Sequence, residues 1–264
     1  MPRRHLFLCF LVAPTICLAY GAWFRTVEEM KPGTVSWAFV KWGIFSRSGN
    51  LKLVQPLKGC PKSVPLTAWI THRISPRETL SAKAAQHLAN QLNRSLGDCF
   101  TGVELDVEPL PNLTPWFSEF AKTLRDHLDK RYRLQAAIPS DWPHEMSLNL
   151  LSVIDGIDLM IYDTGAKNPT EYQNQVSRAL ALTKKTSPEK QLTFGFPAYQ
   201  DRTKKHRPEV ENLSHIESLL AARKELWQTL CGPNRKIALY AGWTAFPEEF
   251  QIAKRLTSQA VCPK

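Results

Sequence analysis

The segment Thr101-Gly102-Val103-Glu104-Leu105-Asp106-Val107-Glu108-Pro109 sets three carboxylates at alternate positions. Side chains of a strand alternate between faces, so Glu104, Asp106 and Glu108 share one face and Val103, Leu105 and Val107 the other. Like charges at this spacing cannot all ionise freely, and one pKa must rise. A protonated carboxyl beside an ionised one is what glycoside cleavage uses: one group gives a proton, the other steadies developing positive charge. The same oxygen ligands would also suit Mg²⁺ or Ca²⁺, which keeps a divalent-metal-dependent barrel hydrolase open as an alternative. A wet acidic face on an antiparallel strand is the bland alternative, but helical patterns flank this strand on both sides.

The elements that must position these groups alternate along the chain. Strand-like runs occupy Leu66–His72, Gly102–Val107, Leu134–Pro139, Ile157–Tyr162, Leu192–Pro197 and Ile237–Gly242. They are apolar and bounded by turn formers, as buried parallel strands are. Helix starts are signalled at Ser75-Pro76-Arg77-Glu78, Thr114-Pro115, Asn168-Pro169-Thr170-Glu171, Ser214-His215-Ile216-Glu217 and Pro247. Val35–Val40 adds a seventh strand, which runs into an irregular hairpin over Gly43–Leu53. An eighth must come from Tyr20–Phe24 or be missing. The pattern predicts an α/β (β/α)8 TIM-barrel-like fold with an incomplete or irregular first βα unit. No Gly-rich phosphate loop follows the first strands, which argues against a nucleotide-binding open sheet.

The composition, 43% hydrophobic and 22% charged over 264 residues, excludes a disordered or polytopic membrane chain. Arg3 and Arg4 precede the uncharged run Leu6–Ala19, and small residues follow at Ala19-Tyr20-Gly21-Ala22. This reads as a signal peptide over 1–21, leaving one barrel domain over 22–264, periplasmic or secreted, with no stable membrane span after cleavage. The formal charge of +10 falls to +8 without Arg3 and Arg4. The bases are scattered, and Arg202–Arg207 has no interleaved aromatics, so no nucleic-acid partner is expected. A monomer with a polysaccharide partner is expected. Cys60, Cys99, Cys231 and Cys262 of an exported chain suggest two disulfides, and barrel topology pairs Cys60 with Cys99 and Cys231 with Cys262. His72 and His144 read as structural, and Tyr199 and Trp142 as candidate sugar platforms.

The carboxylate strand resembles the signature Asp-Gly-x-Asp-x-Asp-x-Glu of family 18 glycoside hydrolases, the chitinase-like barrels, at Gly102, Asp106 and Glu108. It departs at Thr101 and Glu104. Met160-Ile161-Tyr162-Asp163, Ala137-Ile138-Pro139, Gly195-Phe196-Pro197-Ala198-Tyr199 and Trp243 are similar to further family motifs in order, over residues 34–250. The resemblance implies substrate-assisted, retaining hydrolysis of an N-acetylhexosamine polysaccharide (chitin-like, peptidoglycan or another envelope glycan), with no metal and no cofactor. Glu108 would be the acid and then the base, Asp106 would orient the acetamido group, and Tyr162 would hydrogen-bond its oxygen. Glu104, Asp163, Met160, Trp243 and Tyr199 would line the substrate site, with Glu104 able to share a proton with Asp106 and Trp243 as the apolar floor. The departures at Thr101 and Glu104 leave a catalytically inactive carbohydrate-binding barrel as the alternative.

Overall fold

The computed structural model describes residues 20–30, 33–54, 59, 61, 64–110, 115–199, 206–232 and 234–259. Eight parallel strands close on themselves: β1 (Tyr20–Phe24), β2 (Trp37–Phe45), β4 (Leu66–Arg73), β5 (Phe100–Glu108), β6 (Arg133–Pro139), β7 (Gly156–Met160), β8 (Gln191–Pro197) and β9 (Arg235–Tyr240). Closure comes from β1, which pairs with β9 on one side and β2 on the other. The antiparallel β3 (Leu51–Leu53) forms a hairpin with β2. The missing eighth strand is therefore Tyr20–Phe24. The start is irregular as expected: β1 is followed by one 3₁₀ turn and β2 by the hairpin, and helices enter only after β4. A domain boundary at residue 21 would fall inside β1, because Tyr20 and Gly21 are paired strand residues.

Helices α1 (Ala82–Ser95), α2 (Pro115–His127), α3 (His144–Val153), α4 (Pro169–Ala181), α5 (Leu213–Ala222), α6 (Lys224–Trp227) and α7 (Pro247–Gln259) follow the later strands. Phe117, Phe120, Ala121 and Leu124 of α2 recur at helical spacing and are buried. Each such large side chain contributes about 1.5–3 kcal/mol of transfer free energy. Asn168 caps α4 as its motif predicts, accepting from the Glu171 amide. The Ser75 motif does not start a helix. The Glu78 carboxylate does reach back to the Ser75 amide, at 3.1 Å, but the segment is a turn, and Ser81 caps α1 instead. At α5 the cap is Asn212, two residues before the expected Ser214.

Val103, Leu105 and Val107 pack outward against the helices and are wholly buried. The barrel interior holds an aromatic cluster of Trp23, Trp37, Phe39 and Trp69. Trp23 and Phe39 stack at 4.5 Å. Glycine makes room for these rings: a Cβ at Gly21 would sit 2.5 Å from the Trp37 ring, and one at Gly195 would sit 2.9 Å from Trp23. Cys99 and Cys231 are disulfide-bonded. Cys60 and Cys262 lie outside the described residues, as does the segment 1–19, so the pairing and the leader remain expectations.

Candidate active site

Carboxyl-terminal strand ends form a cleft of about 510 Å³, the face where barrel enzymes keep their chemistry. Strand β5 sends Asp106 and Glu108 into it. The turn after β7 adds Tyr162 and Asp163, and β9 ends in it with Tyr240. A smaller hollow of about 280 Å³ adjoins and is lined by Met160, Asp163, Pro139 and Asp141. Glu108 belongs to both and is solvent-exposed, so it stands where the two meet. Glu104, Asp106, Glu108, Tyr162, Asp163 and Met160 are thus brought together, as their alternation and strand-end positions predict.

Asp106 is held by one strong contact. Trp69 Nε1 donates to its Oδ2 at 2.8 Å, while Oδ1 is buried without a hydrogen-bond partner. Burial first, then the charge of Glu108, pushes its pKa up to about 7, against the opposing pull of the Trp69 bond and Lys41. An unfolded aspartate ionises near 3.8, so between these values the folded state binds the extra proton. This group's share of stability is therefore greatest at acid pH and declines as pH rises through about 7. Relative to the parent, the thermal midpoint of Asp106→Asn should rise between about pH 5 and pH 8. A difference that is flat with pH would remove the shift.

Glu104 does not turn toward Asp106. Both its oxygens accept from Trp23 Nε1, at 3.0 and 2.8 Å, and its carboxyl hydrogen-bonds the Asp158 carboxylate. Burial, then the nearby Asp158 and Asp106 charges, pushes Glu104 well above the usual carboxylate range, so it carries the shared proton. Gln135 Nε2 braces Asp158 at 2.9 and 3.0 Å, with Thr193 as a further donor. The expected Glu104–Asp106 proton sharing is corrected to Glu104–Asp158. The cause is reach: the extra methylene and the Trp23 anchor carry the carboxyl across the barrel. Because Glu104 is committed in this way, the three β5 carboxylates do not form a ligand set. Among the described residues no group of three or more His, Cys, Asp or Glu gathers as one.

Trp23, Trp69, Gln135 and Asp158 escaped the sequence reading. Asp158 had a signal, since a lone carboxylate inside the apolar strand Gly156–Met160 must find a buried partner. The two tryptophans had none, because aromatics in strands are ordinary core residues.

The aromatic floor also differs from expectation. Tyr162 stacks on Tyr240 at 4.0 Å and 7°, and Tyr240 lines the cleft. Trp243 stands edge-on to Tyr240, with the Arg25 guanidinium 5.3 Å over its ring, outside the cleft lining. Tyr240 thus takes the cleft-lining place expected of Trp243, because the strand ends at Tyr240 and the chain turns before residue 243. Burial, then the Tyr240 hydroxyl and the carboxylates, raises the Tyr162 pKa well above the phenol range, so it stays a neutral donor.

Tyr199 is not a sugar platform. It is 2% exposed and stacks against His206, at 4.1 Å between ring centroids. Its hydroxyl donates to Glu211 Oε2 at 2.6 Å. Glu211 Oε1 accepts from the Thr164 amide and hydroxyl, at 2.9 and 2.6 Å. This buried clamp holds the turn just after Asp163, whose backbone has φ 53. Glu211→Ala would orphan the buried Tyr199 hydroxyl at about 1–3 kcal/mol, and the half-buried Thr164 donors, which water can reach, add less, so we expect a loss of about 2–4 kcal/mol in denaturant unfolding, with Glu211→Gln milder. Equal stability of Glu211→Ala and the parent would refute the clamp. Trp142, 4% exposed against Phe117, is core rather than platform. His72 sits between the Phe45 carbonyl at 2.8 Å and Glu78 at 3.0 Å, and His144 contacts the Arg178 carbonyl at 3.2 Å.

No family model matches the chain, and no curated protein is similar to it in sequence. Its fold is that of the chitinase-like barrels. It is similar to a chitinase from Bacteroides thetaiotaomicron at TM-score 0.65 and 14% identity, covering 92% of this chain and 96% of that one. It is also similar to the spore cortex-lytic enzyme SleL of Bacillus cereus at TM-score 0.60 and 12% identity, covering 94% and 75%. A third likeness is to the Group IV chitinase of Ostrinia furnacalis, at TM-score 0.59 and 14% identity, covering 92% and 100%.

Proposed function

We propose that the chain is a glycoside hydrolase of N-acetylhexosamine polysaccharides, of the chitin or cortex-peptidoglycan kind, working by substrate-assisted retention. The observation that carries this reading is one cleft containing an exposed carboxyl, Glu108, beside a half-buried one, Asp106, whose Oδ1 is buried, with Tyr162 in the same lining. Glu108 has access to solvent and to the bond being broken, so it gives the proton and then activates water. Asp106, held by Trp69, steadies the acetamido nitrogen as it becomes cationic. Tyr162 donates to the acetamido oxygen, and Tyr240 floors the ring. No enzyme nucleophile is required, since the acetamido oxygen attacks the anomeric carbon.

Export to the periplasm or medium is part of the proposal. It is supported by the Arg3-Arg4 and Leu6–Ala19 pattern and by the oxidised Cys99 and Cys231. Among the described residues no helix is long and apolar enough to cross a membrane. The test is reducing-end release from N-acetylglucosamine oligomers and from peptidoglycan glycan, with Glu108→Gln in parallel. Release by the parent alone supports the reading. Binding of the same oligomers without release by either protein replaces it with a sugar-binding barrel.

A further inference from the structure

The cleft is electrically lopsided. Its acidic centre lies on β5, and Tyr162 and Asp163 stand toward β7, while the β2–β4 side brings in Lys41 and Arg73. On β2 the inward positions read Trp37, Phe39, Lys41, so a lysine follows two buried aromatics on the barrel's inner face. The register shifts between Lys41 and Gly43, which ends the alternation just beyond it. Lys41 Nζ lies 4.4 Å from the centroid of the Trp69 ring, the ring that holds Asp106.

Lys41 makes no ion pair within 4 Å among the described residues. Burial lowers its pKa, while Asp106, Glu108 and Glu104 raise it from a distance. A partly desolvated ammonium is costly until an anion joins it. Of the cleft carboxylates that act on Lys41, Asp106 gives Oδ2 to Trp69 and Glu104 is held by Trp23 and Asp158, and neither they nor Glu108 is among its ion-pair partners within 4 Å. Arg73 stands at the exposed rim, paired across the sheet with Glu108. Lys41 pairs with Trp69, four residues before Arg73, or about 13 Å of strand, so the two cations mark one wall from floor to rim.

We propose that Lys41, backed by Arg73, is a specificity determinant that receives a carboxylate borne by the aminosugar chain. The preferred substrate is then an acidic N-acetylhexosamine polymer, such as one carrying a lactyl ether carboxylate, rather than a neutral chain. This rests on the glycosidase reading above.

The test uses peptide-free peptidoglycan strands, either native or with their carboxylates coupled to methylamine, which removes the charge and keeps the chain. The parent's kcat/KM should favour the acidic strands at least about tenfold, an effect within the range of one partly buried charge-assisted contact. Lys41→Met should collapse that ratio toward one through KM, and Lys41→Arg should restore most of it. A parent ratio near one, or an unchanged ratio in Lys41→Met, overturns the subsite and leaves the glycosidase reading standing. If the parent cleaves neither form, the glycosidase reading fails instead. Calorimetric affinities for the two strand forms then read the subsite directly, with the same preference and the same collapse expected. Equal or absent affinities overturn it.

Discussion

Glu108→Gln should lower kcat by about 10²–10⁴, the usual contribution of a positioned general acid, with KM changed only a few-fold. The reasoning starts from its place at the end of β5, exposed and shared by both hollows. Glutamine keeps the shape and one acceptor but has no proton to give. A substrate whose leaving group needs no proton, such as an aryl glycoside with an acidic phenol, should lose much less rate in its first step. The variant also removes the charge that helps raise Asp106, so the Asp106 ionisation near pH 7 should move down. Unchanged kcat on oligomers would take Glu108 out of the mechanism.

Asp106→Asn is the second large effect, expected at about 10²–10³ in kcat, the size seen when one preorganised electrostatic partner is removed. The fold should survive, because an amide oxygen can still accept from Trp69 Nε1 in the geometry that now joins Trp69 and Asp106 at 2.8 Å. What is lost is the negative charge beside the developing cation. The profile of kcat against pH separates this role from simple packing. An ionisation near 7 in the parent should vanish in the variant. A variant that loses rate but keeps that ionisation would assign it to another group.

Much of the architecture was legible because it depends on local chemistry. Alternating carboxylates on an apolar strand, proline at helix starts and Asn168 before its Glu are satisfied within a few residues, so the sequence shows them directly. Ser75 shows the limit of that reasoning: its turn forms the local contact and the helix still begins only at Ala82, capped by Ser81, since packing of Ala84, Leu88 and Leu92 decides where α1 sits.

The sequence alone therefore determined the barrel, the strand that carries Asp106 and Glu108, and the cleft positions of Tyr162 and Asp163. Only the tertiary structure decided the partners of those groups. Glu104 finds Trp23 and Asp158, 81 positions before and 54 positions after it, rather than Asp106 next along its own face. Tyr240 lines the cleft where Trp243 was expected, and Tyr199 stands outside that lining and holds Glu211. The physical reason is common to all three. Which face a strand residue points to follows from backbone geometry, but which buried polar group it meets depends on barrel closure, which brings together strands distant in sequence.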